Sequence, residues 1–142
     1  LREVVARCCR LKADVVEQDE YETSGLRAIL NYGHTFGHAF EALAGYGQIV
    51  HGEGVAIGMI CASRLAERLG RIDAEATRRQ KALFDKLGIA TETPPFEPQQ
   101  IIDAMMHDKK TEHGRLRFIL PSKIGHCEIV TGIDTHDVIA SL

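Results

Sequence analysis

Along residues 1–19 the apolar positions Val4, Val5, Cys8, Leu11, Val15 and Val16 recur at spacings of three and four. That spacing is the single stripe of an amphipathic helix. The run Glu22-Thr23-Ser24-Gly25 breaks it, and a second helix is expected from near Leu26 towards Leu43. Gly33 and Gly37 fall inside this second helix. An interior glycine costs about 1 kcal/mol relative to alanine, so two of them imply the close approach of a ligand or another backbone. Gly45-Tyr46-Gly47 ends the helix, and His51-Gly52-Glu53-Gly54 reads as part of a small-residue connection. A long apolar helix is expected over about 55–69, with Gly70 as its C-terminal stop. Ala74–Leu87 reads as a further amphipathic helix closed by Gly88.

Beyond the short linker Thr93-Pro94-Pro95 a brief helix is expected over 98–107. The pattern then changes period. Residues 116–120 and 127–130 read as short strands about a turn region at 121–125, and a last helical turn is expected over 136–139. The fold class is therefore mainly α, with a small β-hairpin near the C-terminus. No internal repeat is present, and no Gly-x-Gly-x-x-Gly follows a strand as a Rossmann unit requires.

With 142 residues, 44% of them apolar, the chain suits one domain with a real core. Seventeen basic against twenty acidic side chains give a formal charge of −3, which points away from nucleic acid. Arg78, Arg79 and Lys81 read as a solvated helix face. No apolar run reaches the length of a membrane span, and Leu1-Arg2-Glu3-Val4-Val5 carries no signal-peptide pattern. A start at Leu1, directly into helical sequence, suggests a piece of a longer protein. Cys8, Cys9, Cys61 and Cys127 fit no zinc ribbon or redox motif, so reduced thiols in a cytoplasmic protein are expected, with Cys61 in the core.

Candidate chemistry is dense on the second expected helix. Arg27, Asn31, His34 and His38 stand at i, i+4, i+7 and i+11, and would share one helix face. A core-facing stripe would be apolar there, so this face is solvated or lines a polar cleft. His34 and His38 have a spacing that lets two imidazoles reach one metal, but the Glu that follows the first His in zinc proteases is missing. His51 follows, with Glu41 and Glu53 nearby. Spacing alone leaves a metal site and a merely polar helix face both open. His107-Asp108-Lys109-Lys110 is either an exposed charged turn or a lysine reaching an anionic ligand. His113, His126 and His136 read as surface residues.

Two segments together change the picture. Arg27-Ala28-Ile29-Leu30-Asn31-Tyr32-Gly33-His34-Thr35-Phe36-Gly37-His38-Ala39-Phe40-Glu41 and His51-Gly52-Glu53-Gly54-Val55-Ala56-Ile57-Gly58-Met59 resemble the signature of the 3-dehydroquinate synthases. The resemblance extends upstream through Lys12-Ala13-Asp14-Val15-Val16-Glu17-Gln18-Asp19-Glu20. Downstream it runs through Asp108-Lys109-Lys110 and residues 116–121 to Ile124-Gly125. Order and spacing agree over nearly the whole chain; Gly54, where alanine is commoner, is a minor departure.

The resemblance implies a fold shared with the iron-type alcohol and glycerol dehydrogenases. In it an N-terminal domain binds NAD, a helical C-terminal domain binds the metal, and the active site lies between. Residues 1–142 match the C-terminal metal- and substrate-binding domain alone. His34 and His51 match two zinc ligands (cobalt or iron could serve), and the third, a glutamate, belongs upstream. His38 and Asn31 match residues at the substrate phosphate. Arg27 and Lys12 match groups on its carboxylate, and Lys110, or else its neighbour Lys109, matches a further phosphate contact. The implied reaction converts a seven-carbon keto-acid phosphate, 3-deoxy-D-arabino-heptulosonate 7-phosphate, to 3-dehydroquinate and phosphate in the shikimate pathway. A homodimeric, cytoplasmic full-length enzyme is expected, with this chain inactive alone. The rival readings are a related sugar-phosphate cyclase, disfavoured by Arg27 with Lys12, and a non-catalytic binding or assembly fragment.

Overall fold

The computed structural model describes residues 1–45, 47–108 and 116–142. Six helices occur in it: α1 (Arg2–Gln18), α2 (His34–Ala44), α3 (His51–Arg68), α4 (Ala74–Leu87), α5 (Pro98–Asp108) and α6 (Thr135–Ile139). A 3-10 segment (Leu26–Asn31) precedes α2, and the strands β1 (Arg117–Lys123) and β2 (His126–Thr131) form an antiparallel hairpin. The expected mainly helical fold with a C-terminal hairpin is what the chain adopts. The strands pair through Arg117–Thr131 to Pro121–Cys127, and a bulge between Pro121 and Lys123 precedes the turn. The turn is therefore tighter than the expected 121–125.

The core sits between α2, α3, α5 and β1. Phe36, Phe40, Ile60, Leu65, Ile101, Met105, Phe118, Leu120 and Val138 are buried there. Phe36 and Phe118 meet with ring centroids 5.5 Å apart. Cys61 is buried as expected, and burial pushes its thiol up to about 11. Arg78 pairs with Glu75 and Lys81 with Asp85, each within one turn of α4 and on its solvated side. The stripe on α1 is helical as read, yet none of its residues is buried, and Val4, Val5 and Leu11 stand more than half exposed.

Two expectations fail where the site lies. The second helix is not continuous from Leu26: it breaks at Tyr32 and Gly33, and Gly33 takes φ +82°. That left-handed conformation is open to glycine and strained for other residues. A Cβ on Gly33 would also come within 2.7 Å of the backbone of Val55 and Met59. Gly33 is thus the hinge between a 3-10 segment and a new helix. Arg27 and Asn31 consequently do not share a face with His34 and His38. Nor is His51 in a turn. It opens α3, whose first turn is capped by Glu53, its carboxylate accepting the Val50 N–H at 3.2 Å.

α2 and α3 pack at backbone distance. A Cβ on Gly58 would lie 2.1 Å from the Gly33 carbonyl oxygen and 2.8 Å from the Gly37 nitrogen; one on Gly37 would lie 2.9 Å from the Gly54 carbonyl. The interior glycines anticipated from sequence therefore serve the approach of one helix backbone to another. This contact fixes how the side chains at the two helix starts face each other.

Candidate metal and anion site

His34 and His38 project from successive turns of α2, and His51 reaches them from the first position of α3. The three rings converge, with centroids 5.2 Å apart for His34–His51, 5.4 Å for His34–His38 and 5.9 Å for His38–His51. Two imidazoles on one tetrahedral metal, with metal–nitrogen bonds of about 2.1 Å, hold their centroids roughly 5 Å apart. The His34–His51 pair meets that spacing most closely.

The ring nitrogens support the same pairing. His34 Nδ1 lies 3.3 Å from the Tyr32 carbonyl oxygen, and His51 Nδ1 lies 3.0 Å from Glu41 Oε1. With Nδ1 donating in each ring, the lone pair stands on Nε2, where a metal can take it. Burial holds His34 below the ordinary imidazole value, and hence in the neutral form a metal needs. Among the described residues no set of three or more His, Cys, Asp or Glu is arranged to hold a metal ion. His34 and His51 could thus form two corners of a metal site, and a third donor is not among those residues.

The remaining residues read from sequence fall in different places. Lys12, on α1, and His34 line one apolar cleft of about 950 Å³ bounded by α1, the 3-10 segment, α3, α4 and the hairpin. Asn31 is exposed at the end of the 3-10 segment, three residues before His34. The Arg27 guanidinium donates to the Glu20 carbonyl at 3.0 Å and pairs with Glu22 at 3.4 Å. Lys110 and Lys109 lie outside the described residues, as does His113. His126 and His136 are exposed, as expected for surface residues.

Three supporting residues were not assigned roles from sequence. Asp19 is only 4% exposed, and its two carboxylate oxygens accept the backbone N–H groups of Arg27 and Ser24, each at 3.0 Å. Those bonds hold its carboxyl down at about 2 and tie the start of the 3-10 segment to the end of α1. Tyr32 places its hydroxyl 2.7 Å from Ser63 Oγ, 2.9 Å from Gln80 Oε1 and 3.1 Å from the Met59 carbonyl oxygen, fastening the hinge to α3 and α4. Glu41 meets His51. All three depend on contacts across five or more residues, which no local spacing reveals.

Comparison with known proteins agrees with this geometry. Residues 1–111 match the family model described as "3-dehydroquinate synthase C-terminal". Curated proteins named 3-dehydroquinate synthase match at 50% identity in Desulforamulus reducens, over 100% of this chain and 40% of that protein. Those of Rhodopirellula baltica and Nostoc punctiforme match at 45% and 52% identity, over 100% and 86% of this chain and 38% and 34% of theirs. The chain thus spans about 40% of the length of such relatives. Among solved structures, 2-deoxy-scyllo-inosose synthase complexed with carbaglucose-6-phosphate, NAD+ and Co2+ superposes with a TM-score of 0.77 at 29% identity, over 94% of this chain and 39% of the other. A 2-epi-5-epi-valiolone synthase from Streptomyces hygroscopicus, with NAD+ and Zn2+ bound, gives a TM-score of 0.82 at 22% identity, over 98% and 38%. On these matches the chain belongs to the 3-dehydroquinate synthase family and corresponds to its C-terminal domain.

Proposed function

We propose that this chain supplies the metal and substrate-anion half of a 3-dehydroquinate synthase, which eliminates phosphate from 3-deoxy-D-arabino-heptulosonate 7-phosphate and closes the carbocycle of 3-dehydroquinate. The observation that carries the reading is the convergence of His34, His38 and His51 from two helices held in backbone contact. His34 and His51 would hold zinc or cobalt through Nε2, with a carboxylate from elsewhere in the full-length enzyme as third donor. When bound, the metal would supply Lewis-acid polarisation of a substrate oxygen, and NAD on the N-terminal domain would supply the hydride chemistry.

The chain's own residues bind and orient. His38 and Asn31 position the phosphate, a role supported for His38 by its ring standing 5.4 Å from that of His34. Elimination then breaks the C–O bond as the adjacent C–H gives up its proton, the phosphate itself being the acceptor within reach. Arg27 and Lys12 take the carboxylate. Arg27 gives up its Glu22 pair to do so, at small cost, because that pair is largely exposed. Lys110 adds a further, cationic contact to the phosphate. The proposal extends to a cytoplasmic, homodimeric full-length enzyme acting as a carbon-oxygen lyase, with this chain inactive without the NAD-binding domain.

In the full-length enzyme, His34→Ala and His51→Ala should each remove bound metal and turnover together, whereas His38→Ala should keep the metal and lose turnover. Retention of metal and activity in His34→Ala would sink the assignment. Phosphate release with NAD from the 142-residue chain alone would overturn its dependence on the other domain. The likeness to an inosose synthase supports a second reading, a cyclase for a sugar phosphate that lacks a carboxylate. Assay of the two substrate classes on wild type and Arg27→Ala separates them: only a carboxylate-bearing substrate should be lost with Arg27.

A further inference from the structure

We infer that Glu41 is a positioning residue for the metal site, fixing the tautomer and orientation of His51. The inference rests on the proposed role of His51 and extends it to a residue that would not itself touch the metal. Glu41 stands one turn beyond His38 on α2, and its Oε1 lies 3.0 Å from His51 Nδ1. It occupies room that Gly54 leaves open: a Cβ at Gly54 would come 2.8 Å from Glu41 Oε1 and 3.2 Å from its Cγ. The carboxylate thus fits a slot between the helices and sits at hydrogen-bond distance from the His51 ring.

A carboxylate at Nδ1 accepts the Nδ1–H of a neutral imidazole, which leaves the Nε2 lone pair for a metal and raises the basicity of the ring as a ligand. His34 obtains the same tautomer from the Tyr32 carbonyl, a fixed backbone group. His51 is the more exposed of the two and opens its helix, and among the described residues Glu41 is the hydrogen-bond partner its ring has. Loss of such a partner typically lowers metal affinity 10–100-fold. An ordinary interhelical ion pair, by contrast, would affect folding and leave metal binding unchanged.

The test uses the full-length synthase carrying this domain, stripped of metal and titrated with cobalt(II) or zinc against a competing chelator. Wild type, Glu41→Gln, Glu41→Ala and His51→Ala are compared, together with the melting temperature of each apo protein and the visible absorption of each cobalt form. The expected result is loss of tight binding in His51→Ala. Glu41→Ala should bind about 10–100-fold more weakly, with an altered cobalt spectrum and an apo melting temperature near that of wild type. Glu41→Gln, which keeps an acceptor but not the charge, should fall between and serves if the alanine variant does not fold. Wild-type affinity and spectrum in both Glu41 variants, with binding lost in His51→Ala, would overturn the inference while leaving the metal role of His51 intact. Undiminished binding in His51→Ala would overturn both.

Discussion

Adding one methyl group at Gly58 tests the geometry on which the site depends. The new Cβ would sit 2.1 Å from the Gly33 carbonyl oxygen, whereas real Cβ atoms essentially never come within 3.0 Å of such an atom. The contact must therefore open by about 0.9 Å. The obstructing atoms are backbone, with no side chain that can swing aside, so α2 and α3 have to separate. Overpacking of this kind costs about 1–3 kcal/mol. For a chain of this size that corresponds to a fall of roughly 3–9 °C in melting temperature. The displacement also exceeds the tolerance of about 0.5 Å within which a metal constellation stays productive, and His34 and His51 sit at the starts of the two helices that move. Gly58→Ala should therefore weaken metal binding as well as lower stability. Gly52→Ala, on the same helix with nothing within 4 Å of the added Cβ, is the control and should leave stability unchanged or slightly raised. Thermal unfolding and chelator competition on the full-length enzyme supply both readouts. A Gly58→Ala protein that melts within about 1 °C of wild type and binds metal equally well would refute the argument.

Asp19 gives a pH dependence of defined sign. Its carboxyl lies at about 2 in the fold against an ordinary 3.8, so its contribution is complete above 3.8 and is lost as the pH falls towards about 2. Asp19→Asn should be less stable than wild type at neutral pH and converge on it in that acid window, as followed by circular dichroism; a constant difference across the window would refute the role. Tyr32→Phe removes a hydroxyl shared among Ser63, Gln80 and the Met59 carbonyl, and should cost about 1–2 kcal/mol in a denaturant titration. With a thiol reagent near neutral pH, Cys8 and Cys9 should react in the folded state, and mass mapping should find Cys61 and Cys127, both pushed up to about 11, protected until unfolding.

How much was legible in the sequence depended on how local the cause was. Helices α1 and α4 announce themselves through apolar period, α4 also through its Gly88 stop, and the hairpin through a change of period; each is settled by residues close in sequence. The break at Gly33 was not legible, because 3.6-residue spacing runs through Arg27, Asn31, His34 and His38 without interruption. What interrupts it is the backbone of Val55 and Met59, more than twenty residues away. The early start of α3 was missed for a related reason: His51-Gly52-Glu53-Gly54 has the composition of a turn, and its helical form depends on the Glu53 cap and on α2 packed against Gly54. Candidate ligands could be named from motif order, whereas Glu41, Asp19 and Tyr32 matter through partners that only folding brings near.

The reversal of backbone handedness at Gly33 has a consequence for how such a domain can diverge. On one side lies the 3-10 segment with Arg27 and Asn31, moored to α1 by Asp19. On the other lie the imidazoles, registered against α3 by glycine contacts. A substitution before the hinge can reshape what the domain grips without passing strain to the residues after it. On the proposed assignment the carboxylate-gripping Arg27 and the metal-facing imidazoles lie on opposite sides of that hinge, so descendants could exchange a carboxylate preference while inheriting the metal site unchanged.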